Sequence, residues 1–173
     1  KNTVETAAVV KANAYGLGAR EVSLELAKAG ARKFFVATAE EGSEIRKALG
    51  DSVNIYIFSG HMAGKSSLIE QNYLIPLLNS PEQNIRHHQN LTNHPFGVQL
   101  DTGMNRLGFE RSDFSEFLEL YKEKKPELLM SHLACADDRV RGRHRGQHRS
   151  GTAFCTRFEL QSGTGARIRN TVA

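Results

Sequence analysis

Short apolar runs recur along the first 130 or so positions, and each is followed by a polar stretch with helical spacing. Ala7-Ala-Val-Val10, Lys33-Phe-Phe-Val-Ala37 and Val53-Asn-Ile-Tyr-Ile-Phe58 read as buried strands, as do Tyr73–Leu78, Phe96–Leu100 and Leu128–His132. They are short and rich in β-branched and aromatic residues, and turn residues bound them. The stretches between them read as helices. One runs from about Ala19 to Ala29 and stops at Gly30, the residue type expected just past a helix end. Thr38-Ala-Glu-Glu41 and Ser80-Pro-Glu-Gln83 are capping boxes, the second with proline at the first helical position. The helix after Thr38 sets Ile45, Ala48 and Leu49 on one face and ends at Gly50. Ser59–Gly64 is a loop, followed by a short helix through Leu68 and Ile69. Ser112 caps a further helix with Phe114, Phe117, Leu118 and Tyr121 at i, i+3, i+4 and i+7. Pro76 is awkward for a central strand.

Six βα repeats without a hairpin signal predict an α/β fold with a parallel sheet and helices outside. A (β/α)8 TIM-type barrel, incomplete with six of its units, is the favoured closure, and a doubly wound open sheet is the alternative. Six strands of eight would leave two open edges.

The pattern changes at Arg139. Arg139-Val-Arg-Gly-Arg-His-Arg-Gly-Gln-His-Arg149 has no apolar periodicity, and the remainder shows one weak apolar patch near Phe154 and Phe158. Charge divides at the same place. Residues 1–138 hold 15 Lys and Arg against 18 Asp and Glu, a balance of −3, whereas 139–173 hold eight Arg, no Lys and one acid, Glu159, a balance of +7. The expected organisation is therefore a partial barrel domain over 1–138 and an anomalous Arg-rich tail over 139–173. The tail reads as a basic arm for nucleic acid or an anionic surface, as disorder, or as the product of a change of coding frame near Asp138. The third reading is favoured, because Arg replaces Lys abruptly at that point.

Candidate chemistry gathers around Lys11. A buried strand ends on it, and lysines are rarely buried unless paired or functional. The ends of parallel strands are where chemistry collects in barrels and open α/β sheets. Asn13-Ala-Tyr-Gly-Leu-Gly18 then turns into a helix, a natural seat for a phosphate. An amine, a nearby hydroxyl and a Gly-rich phosphate seat together suggest pyridoxal phosphate, which needs an amine for its covalent link and an anchor for its phosphate.

Three motifs then carry a resemblance. Ala8-Val-Val-Lys-Ala-Asn-Ala-Tyr-Gly16 looks like the cofactor-lysine motif of the alanine racemase family. Asp101-Thr-Gly-Met-Asn-Arg-Leu-Gly108 is similar to a second signature of that family, and Ser131-His-Leu-Ala-Cys-Ala-Asp137 to its histidine-bearing strand end. They fall in the family's order and at roughly its spacing, over about residues 3–138, where the resemblance stops. It implies the N-terminal barrel of a pyridoxal-phosphate-dependent isomerase, without the family's C-terminal β domain. The activity implied is interconversion of L- and D-alanine to supply D-alanine for bacterial wall peptidoglycan, in a homodimer. Lys11 would carry the cofactor and act as the base on one face of the substrate. Tyr15 would donate to the cofactor phosphate, Arg106 would lie beside its phenolic oxygen, and His132 would pack near its ring. Gln99 departs from the pattern, since many members have a carbamylated lysine there that orients the arginine seven positions later. Its amide oxygen could still accept from Arg106. Leu17 replaces a common family histidine. The second proton carrier is, in the family, a tyrosine from the partner's C-terminal domain, and no residue of this chain is assigned that role. The alternatives are a racemase or decarboxylase for another amino acid with the same barrel and cofactor, against which the Asp101–Gly108 signature argues, and a non-catalytic cofactor-binding barrel. A nucleic-acid-binding protein rests on the tail alone.

The remaining residues add little chemistry. Cys135 and Cys155 make neither a disulfide framework nor a metal cluster, and two reduced thiols fit a cytoplasmic setting. The opening Lys-Asn-Thr-Val-Glu has no signal-peptide pattern and lacks an initiator Met, so upstream residues are expected. No apolar run is long enough for a transmembrane helix. No metal site is expected. His87-His88 falls on a helix read as solvated, and His144 and His148 fall in the tail, without acidic or cysteine partners.

Overall fold

A computed structural model describes residues 5–113, 124–132, 155–157 and 169–171. Six parallel strands form one sheet in the order β1-β2-β3-β4-β5-β6. They are β1 (Ala8–Val9), β2 (Lys33–Val36), β3 (Asn54–Ile57), β4 (Leu74–Leu78), β5 (Gly97–Leu100) and β6 (Leu128–Ser131). The connecting helices are α1 (Lys11–Tyr15), α2 (Ala19–Lys28), α3 (Ala39–Leu49), α4 (Ser66–Gln71) and α5 (Pro81–Asn90). Each strand is hydrogen-bonded to its sequence neighbour, so the sheet winds in one direction only. A doubly wound sheet reverses its strand order at a switch point. The uninterrupted order therefore excludes that alternative and gives a curled half-barrel. The helix expected from Ser112 through Tyr121 lies mostly outside the described residues; Arg111–Asp113 form a 3-10 turn. In the tail, β7 (Cys155–Arg157) and β8 (Arg169–Thr171) pair antiparallel in a separate sheet.

Period-two alternation sorts the strand side chains into two layers. Ala8, Val10, Phe34, Val36, Ile55, Ile57 and Leu74 face the helices and pack with Val22, Ile45, Leu49 and Ile69. The alternate positions, Phe35, Tyr56, Phe58, Ile75, Leu77, Leu128 and Met130, cluster on the other face of the sheet, the barrel interior. Phe35 stacks on Tyr56 at 4.8 Å between ring centroids and on Phe58 at 5.4 Å. In this register Lys11 belongs with Val9 on the interior side. Pro76 is accommodated opposite Ile57, and the ladder to β5 begins one residue later, at Leu77.

Both capping boxes form only in part. The Glu41 N–H donates to Thr38 Oγ1 and the Gln83 N–H to Ser80 Oγ, each at 3.4 Å. The reciprocal side chains reach one residue further back than a capping box requires. Glu41 Oε2 accepts from the Ala37 N–H at 2.7 Å, and Gln83 Oε1 from the Asn79 N–H at 3.2 Å.

The solvated reading of His87 is wrong. Its side chain is 0% exposed, because α5 turns Asn84 and His87 into the protein beside Phe96.

Arg46 ties together the opposite ends of the strands. It is buried on α3 and donates to four backbone carbonyls: Nε to Asn72 at 2.9 Å, Nη1 to Gly50 at 2.7 Å and Val53 at 2.9 Å, and Nη2 to Tyr73 at 3.0 Å. One planar fork thus satisfies carbonyls from the loops entering β3 and β4, which no compact ammonium could reach together. Arg46→Met should lower stability by at least about 2 kcal/mol, through carbonyls left unpaired in the interior. Arg46→Lys should recover only part of that loss. Denaturant midpoints of the three chains measure it, and a midpoint unchanged in Arg46→Met would contradict the assignment.

Candidate active site

The site begins where β1 ends. After Lys11 the backbone enters the left-handed region and stays there, with φ of 52° at Ala12, 54° at Asn13, 52° at Ala14 and 55° at Tyr15. Only Asn among these visits that region readily, and each L-residue in a left-handed turn costs roughly 1–2 kcal/mol. The turn persists because its polar groups are paired. The Ala14 N–H donates to Val10 O at 3.0 Å, and the Gly18 N–H to Asn13 O at 3.0 Å. Asn13 Oδ1 accepts from the Ala19 N–H at 2.8 Å and so caps α2, while Ala14 is buried. Glu41 Oε1 accepts from the Ala12 N–H at 2.9 Å.

These bonds correct one expectation. The N–H groups of Gly16, Leu17, Gly18 and Ala19 all have partners within the turn itself. The loop is therefore not an open cradle of amides for a phosphate. The Tyr15 hydroxyl is the group it offers instead, on a residue 65% exposed.

Lys11 Nζ lies 5.6 Å from the centroid of the Phe58 ring and 6.0 Å from that of Tyr15. Among the described residues it has no carboxylate partner. Tyr15 was legible in the sequence motif. Phe58 was not singled out, although it ends the third apolar run in the interior register.

Phe58 and the loop after it are held by α5 and its approach. Asn79 Nδ2 donates to Phe58 O at 2.8 Å, Gln83 Nε2 to Ser59 O at 3.0 Å, and Arg86 Nη1 to His61 O at 2.8 Å. The His61 N–H donates to Gln83 Oε1 at 3.3 Å. A Cβ on Gly60, at φ 71°, would stand 1.9 Å from that same oxygen, so only glycine fits there. Asn79 Oδ1 is buried without a partner.

Beneath this loop runs a buried histidine chain. His61 Nδ1 faces His87 Nδ1 at 3.2 Å, His61 Nε2 faces Ser66 Oγ at 2.9 Å, and His87 Nε2 faces the His94 carbonyl at 3.1 Å. A carbonyl only accepts, so His87 carries its proton on Nε2 and accepts on Nδ1. His61 then carries its proton on Nδ1 and accepts from the Ser66 hydroxyl on Nε2. A second proton on His87, at Nδ1, would set two N–H groups against each other, whereas one on His61, at Nε2, would only require the Ser66 hydroxyl to turn and accept. Burial, reinforced by the Arg86 and His94 charges, lowers the pKa of His61. Burial likewise takes His87 from the usual 6.5 to about 4, against the raising effect of its bond to His94 O.

Gln99 and the Asp101 turn stand on the β5 side. Asp101 Oδ1 accepts from the N–H groups of Gly103, Met104 and Asn105, and Oδ2 from that of Arg106, at 2.8 to 3.1 Å. Desolvation pushes the Asp101 carboxyl up, but the four backbone bonds together outweigh it and hold it below its ordinary value. The Asp101 N–H bonds Phe109 O and the Phe109 N–H bonds Gln99 O, which closes the turn at its base. A Cβ on Gly108, at φ 120°, would lie 2.5 Å from the Asp101 nitrogen. Thr102 Oγ1 and Ser131 Oγ share a hydrogen bond, which ties the turn to the end of β6. Arg106 is exposed on this turn, and His132 is exposed one residue past β6. Gln99 is 3% exposed; its amide donates to Leu107 O at 3.1 Å, and its Oε1 has no partner. The expected Gln99–Arg106 bond is not formed. Residues 133–137 of the third motif lie outside the described residues. No group of three or more His, Cys, Asp or Glu able to hold a metal occurs among the described residues, and no described helix is long and apolar enough to cross a membrane.

A parallel sheet wound strand by strand in sequence order is half of a (β/α) barrel, a fold class in which chemistry collects at the strand C-termini. Residues 1–169 match the family described as "Alanine racemase, N-terminal domain", and the chain belongs to that family. It is 57% identical over 134 residues to an alanine racemase of Cereibacter sphaeroides, covering 78% of this chain and 38% of that protein. It is 53% identical over 138 residues to one from Ruegeria sp., covering 80% and 40%. The crystal structure of alanine racemase from Bartonella henselae with covalently bound pyridoxal phosphate superposes with a TM-score of 0.73 at 33% identity, over 78% of this chain and 41% of that one. The biosynthetic enzyme of Pseudomonas aeruginosa gives 0.69 at 36% identity, over 78% and 39%. The chain thus spans about two fifths of the length of these relatives.

The histidine chain gives a pH dependence with a fixed sign. An unfolded histidine takes up a proton near 6.5, whereas folded His87 resists until about 4. The unfolded state therefore binds more protons in that window, and stability falls as pH falls through it. Glu40, Glu82 and Asp101, whose pKa values lie below their ordinary values of 4.5, 4.5 and 3.8, lose their contribution only at lower pH. The denaturant midpoint should be lower at about pH 5 than at about pH 7, and His87→Gln should shrink the difference. A midpoint that rises on acidification would contradict the assigned proton positions.

Proposed function

We propose that this chain supplies the cofactor-lysine side of an alanine racemase active site, with Lys11 as the attachment point for pyridoxal 5′-phosphate. The observation that carries the reading is the Lys11 amine, placed on the interior side at the end of β1, against the faces of Phe58 and Tyr15 and without a carboxylate partner. The relatives' names and the cofactor in the Bartonella henselae structure support it.

The residues present fit such a group. The amine has two aromatic faces beside it and is not committed to an ion pair. The Tyr15 hydroxyl makes no hydrogen bond among the described residues, and the Gln99 Oε1 is buried and unpartnered. When bound, pyridoxal phosphate supplies an electron sink for charge left on the α-carbon of an attached amino acid. Lys11 Nζ would hold the group covalently, and as a free amine it would take or return the α-proton on its own face. Phe58 screens that amine from water. The Tyr15 O–H would be the donor to the cofactor's phosphate. The Arg106 guanidinium would donate to its phenolic oxygen through a charge-assisted bond, from a turn whose backbone the Asp101 carboxylate fixes. Gln99 does not bond Arg106; its amide holds the Leu107 carbonyl of the same turn. His132, one residue past β6, would pack near the cofactor's ring. Proton transfer on the opposite face is assigned to no residue of this chain; by resemblance it belongs to a tyrosine of a partner subunit in a homodimer.

The test is covalent capture. Purified chain mixed with pyridoxal phosphate and reduced with borohydride should gain one cofactor mass, mapping by peptide analysis to Lys11, and Lys11→Ala should abolish it. Modification spread over several lysines, or retained in Lys11→Ala, would refute the assignment.

A further inference from the structure

We propose that Glu41 is a positioning residue for Lys11: its carboxylate, brought in from α3, holds the left-handed turn that aims the amine. This rests on the cofactor-lysine reading above and adds a residue to it.

Glu41 is the third residue of α3, where a capping box would turn its side chain back to Thr38. Instead its two oxygens bridge two strand ends. Oε1 accepts from the Ala12 N–H at 2.9 Å and Oε2 from the Ala37 N–H at 2.7 Å. Ala12 directly follows Lys11 and is the first of the four residues with positive φ. The start of α1 has no side-chain cap of its own; Val10 occupies that position. The Ala12 N–H would therefore be one of the orphan donors of a helix start, and a residue 29 positions away satisfies it. Apart from the turn's own Asn13, Glu41 is the one side chain that bonds the turn among the described residues.

The equivalent position two units later sharpens the point. Gln83 makes the same two-way bond, accepting from the Asn79 and His61 N–H groups. There the acceptor is a neutral amide, and the loop it holds has Gly60 at its positive φ, so little strain opposes it. At Glu41 the held segment is Ala-Asn-Ala-Tyr, where positive φ is costly, and the acceptor is a carboxylate. Bonds to a charged acceptor are the stronger kind. The stronger clamp thus stands where the backbone resists most, next to the reactive amine.

The experiment compares the full chain with Glu41→Gln, Glu41→Ala and Thr38→Ala. Thr38→Ala removes the cap of the same helix without touching Ala12, and so controls for a purely structural role. Two quantities are measured: amide hydrogen exchange at Ala12, and the rate at which borohydride fixes pyridoxal phosphate onto Lys11. Glu41→Ala should exchange Ala12 about tenfold or more faster, the order expected for a lost bond to a charged acceptor. Capture at Lys11 should slow about tenfold, as an ångström-scale misplacement of a reacting group can cost that or more. Glu41→Gln, with one accepting oxygen in place of two, should fall between and serves if Glu41→Ala fails to fold. Thr38→Ala should leave both quantities within about twofold of the parent. Equal exchange and equal capture in parent and Glu41 variants would overturn the proposal, as would a Thr38→Ala effect as large as theirs. If the parent itself captures no cofactor at Lys11, the functional reading falls, and exchange at Ala12 alone then decides whether Glu41 holds the turn.

Discussion

Four consecutive residues in a left-handed turn, without a glycine among them, set the geometry on which the candidate site depends. The turn reverses the chain within five residues of β1, so that Asn13 can cap α2 while Lys11 stays on the interior side. A right-handed turn of the same sequence would send the chain elsewhere and carry Tyr15 away from the amine. Strain of this kind persists only where surrounding groups over-determine it. Here they do: backbone carbonyls of Val10 and Asn13, the Asn13 amide and the Glu41 carboxylate all act on the same short segment.

The two ends of the half-barrel are held by different means. At the entry ends of β3 and β4, the single guanidinium of Arg46 gathers four carbonyls. At the exit ends, Glu41 and Gln83 each take the amide preceding their own helix and an amide of the neighbouring unit. Helix caps are thereby converted into links between successive βα units. Asn79, Gln83, Arg86 and His87 extend the second link into a row that fixes the loop after Phe58. Since the Phe58 ring lies beside Lys11, the α5 row and the Glu41 bridge converge on the same amine from two sides.

Much of the fold was legible in the residues. The apolar runs located all six strands, because strands buried on both faces of a parallel sheet need continuous apolar sequence. Gly30 and the two Ser/Thr caps marked helix ends correctly. Proximity was harder to read. Thr38–Glu41 and Ser80–Gln83 are indistinguishable from ordinary capping boxes in sequence, because what diverts Glu41 and Gln83 is the neighbouring unit. His87 looked solvated beside charged and polar neighbours, yet it is buried against His61, 26 positions earlier in the chain, and against the His94 carbonyl in the loop after its own helix. The Gly16–Gly18 loop suggested a phosphate cradle, since sequence does not reveal that the preceding turn already uses those amides. Lys11 and Tyr15 were found from their motif, whereas Phe58 needed the interior register of β3 to be known.

Whether the left-handed turn presents Lys11 as the cofactor amine is decided by a crystal structure of the chain grown with pyridoxal phosphate. Positive φ is expected from Ala12 through Tyr15, with the Glu41 carboxylate on the Ala12 amide and density continuous from Lys11 Nζ into the cofactor, its phosphate near the Tyr15 hydroxyl. Cofactor density joined to another lysine, or a right-handed turn after Lys11, would contradict it.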